Sequence, residues 1–225
     1  MCYIYEVMKK AVVLLSGGVD SAVTLYIAKQ EYECHVLLFN YGQKAGKELN
    51  CAKKIAEEAG CEYKVIDISL PWKGSSLVDD SSKIPTGEAS RGGEIPSTYV
   101  PSRNIIFLSF AASFAEAIGA EAVFIGAHQL DYSNYPDCRS EFFDSFQESL
   151  DQGTKMGTEG NGIKIATPVI NKTKKEIVET GIDLGVPFEY TWSCYDGGDA
   201  PCGECESCMF RMKAFDEAGI KDPLL

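Results

Sequence analysis

The chain has 225 residues, of which 45% are hydrophobic and 24% are charged. These values are typical of one large globular domain or one domain with a small appendage, and they exclude a disordered or collagen-like chain. The formal net charge of -12 would repel a phosphate backbone, so the sequence favours a small-molecule substrate and no nucleic-acid partner.

Apolar runs of strand length and helical periods alternate along the first third of the chain. The runs lie at residues 11–15, 35–39 and 65–68, and the helical patterns lie at about 20–30 and 44–60. Strands that alternate with helices in this way predict right-handed crossovers and a parallel α/β sheet.

Residues 70–101 are rich in Ser, Gly and Pro and show no sustained period, which predicts a long loop of the kind that covers binding sites. Beyond it, the sequence predicts helices over 104–119, 141–150 and 173–184, and strands over 122–126 and 163–166. Thr173 and Glu176 have the spacing of a capping box, which places Lys174 in the first turn of the last of these helices. We predict a nucleotide-binding α/β domain over residues 1–190 and a small, helical, cysteine-rich tail over residues 191–225 that packs on the same domain.

No uncharged apolar run reaches the length of a membrane-spanning helix. Residues 1–10 also lack the basic-then-apolar order of a secretory signal, so we expect a cytoplasmic protein without a membrane partner. Thiols stay reduced in the cytoplasm, and therefore a disulfide framework is not expected despite nine cysteines.

Residues 15–21 read Leu-Ser-Gly-Gly-Val-Asp-Ser and lie where the first predicted strand turns into a helix. Adjacent glycines let the backbone approach a ligand closely, and the free N–H groups at a helix start favour an anion. Ser16 and Ser21 add hydroxyl groups. The pattern predicts a cradle for phosphate or pyrophosphate; a tight turn with a Ser or Asp helix cap is the alternative.

Four cysteines lie close together near the end of the chain: Cys194, Cys202, Cys205 and Cys208. The short spacing between the last three lets their thiolates converge on one tetrahedral ion. Since four sulfur ligands leave no open position, we predict a structural zinc ion. An iron–sulfur cluster or a redox pair is the alternative.

The string at residues 16–21 resembles the nucleotide loop of the PP-loop ATP pyrophosphatases, whose domain is Rossmann-like. Further strings resemble one branch of that superfamily, the 7-cyano-7-deazaguanine synthase family. They are Asn40-Tyr41-Gly42-Gln43, Val-Pro-Ser-Arg-Asn at 100–104, Asp-Tyr-Ser-Asn-Tyr-Pro-Asp-Cys-Arg at 131–139, and Ser193-Cys194-Tyr195 before the other cysteines. Together they extend from about residue 12 to residue 215.

The resemblance implies a homodimeric ligase that uses ATP and Mg²⁺ and carries one structural Zn²⁺. Its substrates would be 7-carboxy-7-deazaguanine and ammonia, and its product 7-cyano-7-deazaguanine, formed through an adenylated carboxylate and an adenylated amide. Two alternatives stay open: the same activation used on another acceptor, in tRNA thiolation or protein modification, and a nucleotide-binding module without catalysis.

The resemblance also implies site residues. The nucleotide would be bound by Leu14, Leu15, Ser16, Gly17, Gly18, Val19, Asp20, Ser21, Ala22, Val23, Thr24, Phe39 and Tyr41. Lys174, Arg103 and Asp20 are the predicted catalytic residues, since cations offset phosphate charge and Asp20 can place the nucleotide or its magnesium.

The predicted deazaguanine pocket consists of Arg103, Asp131, Tyr132, Tyr135, Asp137 and Arg139. A carboxylate can accept two hydrogen bonds from the base, an aromatic ring can stack on it, and an arginine can pair with the substrate carboxylate. The alternative for this segment is a Pro-anchored turn with a helix-capping Asp. The alternative for Lys174 is a solvated surface charge like those of its neighbours Lys172 and Lys175.

Overall fold

Five parallel strands form the centre of this computed structural model, which describes residues 8–72, 74–79, 81–86, 95–129 and 135–224. The strands are β1 (Lys9–Leu14), β2 (Tyr32–Asn40), β3 (Tyr63–Asp67), β4 (Ala122–Ile125) and β5 (Lys164–Ala166). Their spatial order is β3-β2-β1-β4-β5, and every neighbouring pair is parallel. The predicted parallel α/β sheet is therefore confirmed.

Seven α-helices accompany the strands within the described residues. They are α1 (Val19–Ala28), α2 (Lys47–Glu58), α3 (Arg103–Ile118), α4 (Ser140–Gly153), α5 (Lys155–Thr158), α6 (Lys174–Asp183) and α7 (Glu206–Glu217). The helices predicted from periodicity are present, with ends that differ by a few residues. The short helix α5 is not predicted, because four residues are too few to show a helical period. None of the described helices is both long enough and apolar enough to cross a membrane.

The two faces of the sheet carry two separate apolar cores. Along β1, Ala11 and Val13 pack on the side of α1, α2, α6 and α7, whereas Val12 and Leu14 pack on the side of α3 and α4. Successive side chains of a strand point to opposite faces, so a strand covered on both sides is apolar throughout. This is why residues 11–15 form a continuous apolar run.

The strand order reverses between β1 and β4, which are neighbours in the sheet but lie far apart in the chain. In open α/β sheets, a crevice that binds ligands opens at the carboxyl ends of the strands at this point. Gly126 follows β4 here, and a Cβ atom on it would lie 2.8 Å from backbone atoms of Asp20 and Ser21. Glycine therefore permits the segment after β4 to lie directly against the start of α1.

The segment between β3 and α3 matches the predicted long loop, because its described residues contain no helix or strand. The amide of Ser76 donates to the carbonyl of Ser97 at 2.8 Å, and Thr86 forms an isolated antiparallel bridge with Cys205. The loop thus contacts the cysteine-rich tail. The boundary between two parts at residue 190 remains a prediction.

We expect Gly126→Ala to destabilise the fold by about 1–3 kcal/mol, the usual effect of overpacking, because the new methyl group would overlap the backbone of α1. Gly153→Ala is the matched control, since a Cβ atom there meets nothing within 4 Å. Alanine is favoured over glycine inside a helix by ~1 kcal/mol, so this control gains stability. Urea unfolding measures both variants, and an unchanged midpoint for G126A would contradict the expectation.

Candidate active site and metal centre

A cavity of about 310 Å³ opens at the carboxyl ends of β1, β2 and β4. The predicted nucleotide residues that line it are Leu14, Leu15, Ser16, Gly18, Val19, Asp20, Ser21, Phe39 and Tyr41. The others lie behind this wall: Gly17 is covered by α2, and Ala22, Val23 and Thr24 are buried inside α1. The structure thus brings the predicted loop and the end of β2 to one cavity.

The two serines fold the nucleotide loop, residues 15–21, onto itself. The hydroxyl of Ser21 accepts from the amide of Ser16 at 3.2 Å and donates to the carbonyl of Gly18 at 3.0 Å. The hydroxyl of Ser16 lies 3.0 Å from that of Ser21 and accepts from the amide of Gly18 at 3.3 Å. These contacts fix the loop from within and leave its outer side to the cavity.

The first turn of α1 presents unpaired backbone donors. Gly18 is the N-cap and no side chain caps the helix. Within the described part of the chain, the amides of Val19, Asp20 and Ser21 donate to no protein acceptor. Free amides at the positive end of a helix form a binding site for phosphate. The alternative of a turn closed by a Ser or Asp cap is therefore not what the structure contains.

Asp20 joins the loop to α6. Its Oδ2 atom lies 2.6 Å from Nζ of Lys174, and the two side chains are 25% and 22% exposed. The predicted capping box of Thr173 and Glu176 is present and fixes Lys174 as the first residue of α6. Lys175 instead pairs with a glutamate of its own helix at 3.5 Å. Among these neighbouring lysines, the structure brings Lys174 to the loop.

The other carboxylate oxygen of Asp20, Oδ1, is buried and has no hydrogen-bond partner among the described residues. Leaving a buried carboxylate oxygen without a partner is costly. Mg²⁺ prefers oxygen ligands, is held by one or two carboxylates, and takes its other ligands from water and substrate phosphates. Asp20 beside the free amides therefore fits a magnesium ion that accompanies a nucleotide.

Arg103 lines the same cavity and is surrounded by aromatic side chains. Its Nη1 donates to the hydroxyl of Tyr41 at 3.2 Å, and Tyr135 and Tyr195 line the cavity beside it. Burial raises the pKa of both Tyr135 and Tyr195, so these phenols are neutral hydrogen-bonding groups near pH 7. Ser102, just before Arg103, has a φ of 56°, a left-handed conformation that is uncommon outside glycine. A cation among aromatic rings can hold a planar, carboxylated ring system.

Only some of the predicted substrate residues line the cavity. Arg103 and Tyr135 line the cavity, whereas Asp137 and Arg139 do not. Asp137 is buried, and its Oδ2 accepts from the amide of Asn104 at 3.2 Å. It therefore binds the first turn of α3, and its role in substrate binding stays a prediction. Arg139 is exposed before α4, and Asp131 and Tyr132 lie outside the described residues.

Glu48 and Trp192 also line the cavity, and the sequence analysis missed both. Glu48 shares the inner stripe of α2 with buried Ala52 and Ile55. A charged residue on an apolar stripe is the signal that could have identified it. Removal from water raises the pKa of Glu48 to about 7, although the charge of Arg103 acts in the opposite direction.

The four cysteines predicted as metal ligands converge in the tail. Their sulfur atoms all lie within 4.8 Å of one another, and Sγ of Cys202 is 3.9 Å from Sγ of Cys208. Sulfur atoms around a tetrahedral zinc ion are about 3.8 Å apart, given a Zn–S distance of about 2.3 Å. The amides of Glu204 and Cys205 donate to the sulfur of Cys202, an outer shell typical of metal sites. This cluster can hold one metal ion.

Trp192 connects the metal cluster to the nucleotide loop. Its amide donates to the carbonyl of Gly17 at 2.8 Å, and its indole Nε1 donates to the carbonyl of Cys194 at 2.9 Å. On the far side, the buried guanidinium of Arg211 donates to Oγ1 of Thr191 at 2.8 Å. Cys194, a predicted metal ligand, and buried Arg211 therefore hold residues 191–192, which contact the nucleotide loop.

Residues 10–219 match the family described as queuosine biosynthesis protein QueC. The chain belongs to this family. It is 49% identical over 221 residues to the 7-cyano-7-deazaguanine synthase of Nostoc punctiforme, with 96% of this chain and 99% of that protein covered. It is 50% identical over 222 residues to the synthase of the same name from Clostridium kluyveri, with 96% and 97% covered. The resemblance stated from the motifs is confirmed.

Among solved structures, the chain is similar to the U34-tRNA thiolase NcsA from Methanococcus maripaludis. The two share 18% identity, with 93% of this chain and 65% of that chain covered and a TM-score of 0.49.

We expect the purified chain to bind one metal ion, and we expect Cys208→Ser to lose it because three sulfur ligands and a hydroxyl bind zinc less tightly. Cys61→Ser is the matched control, since this half-buried cysteine lies outside the cluster. Elemental analysis of both variants measures metal content and distinguishes zinc from iron. Full metal content in C208S would contradict the assignment.

Proposed function

We propose that this chain is an ATP-dependent ligase that converts 7-carboxy-7-deazaguanine and ammonia to 7-cyano-7-deazaguanine. The observation that carries this proposal is the similarity, near 50% identity over almost the whole chain, to proteins named for that synthase. A nucleotide loop and a cationic, aromatic wall that share one cavity support it.

The chemistry requires two activations, because a nitrile forms from a carboxylate only when both oxygens leave. In the first, a carboxylate oxygen attacks the α-phosphate of ATP and pyrophosphate departs. Ammonia then attacks the acyl carbon, AMP leaves with the C–O electron pair, and loss of a proton gives the amide. In the second, the amide oxygen attacks the α-phosphate of another ATP and pyrophosphate departs; AMP then leaves with the C–O electron pair, and loss of both N–H protons leaves the C≡N bond. The enzyme mainly has to orient the reactants and stabilise phosphate charge.

The cavity offers a residue for each of these tasks. We assign the departing pyrophosphate to the free amides of the nucleotide loop, and Mg²⁺ to Oδ1 of Asp20. Lys174 offsets phosphate charge from the same side, because its Nζ already lies at the loop. Arg103 pairs with the substrate carboxylate, and Tyr135 lies beside it to hold the deazaguanine ring. Leu14, Phe39 and Tyr41 flank the adenine.

We further propose that the metal is zinc and that the enzyme is a cytoplasmic homodimer without a nucleic-acid partner. Four thiolate ligands support zinc and a reducing compartment. The net charge of -12 supports the last point, because binding to RNA depends on basic residues that replace its counterions. The dimer is an expectation from family resemblance, and the molar mass in solution tests it.

Incubation with ATP, Mg²⁺, ammonium and 7-carboxy-7-deazaguanine tests the function. We expect a product with the mass of the nitrile, and an AMP and a pyrophosphate for each of the two activations. Binding of ATP without turnover would favour a non-catalytic nucleotide-binding module. Tight, steeply salt-dependent retention of tRNA on filters would favour tRNA thiolation instead.

We expect Lys174→Ala to slow acid-dependent exchange of pyrophosphate into ATP by about 10²-fold, the typical effect of removing one stabilising contact to transition-state charge. Lys175→Ala is the matched control, since its side chain pairs within α6 and points to solvent. Its exchange rate should equal that of the unmodified chain. Equal losses in both variants would mean that the lysines act only through general surface charge.

A further inference from the structure

Glu48 places a side chain on the cavity wall next to the nucleotide loop. The backbone of α2 at this residue lies so close to the loop that a Cβ atom on Gly17 would be 2.4 Å from the carbonyl of Glu48. The residue lines the same cavity as Asp20, Lys174 and Arg103. Its charge acts on both Arg103 and Tyr41. Glu48 therefore lines the cavity next to the nucleotide loop, within electrostatic range of Arg103.

The carboxylate of Glu48 has no hydrogen bond or ion pair with any residue that the structure describes. Asp20 has Lys174 at 2.6 Å, whereas Glu48 has no hydrogen bond to its carboxylate and no ion pair at contact distance among the described residues. The nearest cation acting on it, Arg103, already donates to Tyr41. A half-buried carboxylate without a partner in a ligand cavity favours a small cationic ligand with N–H donors.

Removal from water raises the pKa of Glu48 to about 7. At neutral pH such a group exchanges a proton readily in both directions, which is the property of a general base. The charged and titratable groups that interact with it are Arg103 on α3, Tyr41 after β2, and Cys51 on its own helix. Within this set, the carboxylate of Glu48 is the group that can accept a proton near pH 7.

The proposed reaction needs such a group at one step. Ammonium has no lone pair and cannot attack a carbonyl carbon, although it is the main form of ammonia at neutral pH. It must therefore lose a proton before it attacks the adenylated carboxylate.

We propose that Glu48 binds the ammonium ion and accepts its proton, so that ammonia is formed beside the adenylated substrate. This inference rests on the proposed function. One N–H bond of ammonium breaks and an O–H bond forms on Glu48. The nitrogen lone pair then forms the C–N bond while AMP leaves with the electron pair of the C–O bond. The further proton that the nitrogen loses on becoming an amide passes to water.

Three assays on Glu48→Gln separate this role from others. Acid-dependent exchange of pyrophosphate into ATP reports adenylation alone. Amide formation with ammonium needs a proton acceptor, whereas hydroxamate formation with hydroxylamine, an uncharged nucleophile at neutral pH, does not. Glu58→Gln is the matched control, because it makes the same substitution at an exposed position near the other end of α2.

We expect E48Q to keep exchange and hydroxamate formation near the rates of the unmodified chain and to lose ammonium-dependent amide formation by about 10²-fold, as on removal of a general base. E58Q should match the unmodified chain in all three assays. Retained exchange also shows that E48Q is folded. Should E48Q fail to fold, Glu48→Asp carries the same test, since it keeps the charge but withdraws it from the ligand, and the same ammonium-specific loss is expected.

Normal amide formation from ammonium in E48Q would overturn the inference. Loss of exchange would also overturn it, because Glu48 would then act on the nucleotide or its metal. Equal loss of amide and hydroxamate formation would exclude a role in proton transfer. Absence of exchange in the unmodified chain would instead overturn the proposed function, and the role of Glu48 with it.

Discussion

The free amides at the start of α1 depend on close backbone packing around the nucleotide loop. Gly17 lies against the backbone of α2, and Gly126 lies against that of α1, each at a distance that excludes a side chain. The carbonyl of Gly17 is held by the amide of Trp192 at 2.8 Å. With its flanks fixed in this way, the loop holds its donors directed to the cavity. A binding site whose donors are already oriented loses little conformational entropy when phosphate arrives.

The cysteine-rich tail takes part in this packing. Trp192 contacts both the loop and the carbonyl of Cys194, so the geometry of the metal cluster is transmitted directly to the loop. The same segment is held from the other side by Arg211, whose guanidinium forms a bidentate pair with Asp222 at 2.7 and 2.8 Å. Both side chains of this pair are buried. Breaking such a pair leaves an uncompensated buried charge, which makes the support under Trp192 costly to displace.

The predictable features were those encoded in short contiguous strings. The alternation of apolar runs gave the sheet, the capping box gave the start of α6, and the spacing of Cys202, Cys205 and Cys208 gave the cluster. No contiguous string marks Glu48. Its charge on the apolar stripe of α2 is a signal in the sequence, but its place in the cavity follows from the packing of α2 against the nucleotide loop, which lies far from it in the sequence. Asp137 illustrates the converse. Its string resembles a substrate pocket, and the contact that the structure shows is structural: the buried carboxylate accepts from the amide of Asn104. Its role in substrate binding stays a prediction.

The cavity contains two carboxylates, Asp20 and Glu48, whose electrostatic environments differ. Asp20 lies 2.6 Å from Lys174, so its negative charge is largely compensated. Glu48 has no such contact, and removal from water raises its pKa to about 7. A carboxylate with a cation beside it stays ionised and suits a metal ligand, whereas one without a partner can alternate between its two forms. In the proposed reaction, the cavity therefore holds the nucleotide beside Asp20 and a small cationic nucleophile beside Glu48, while Arg103 pairs with the substrate acid.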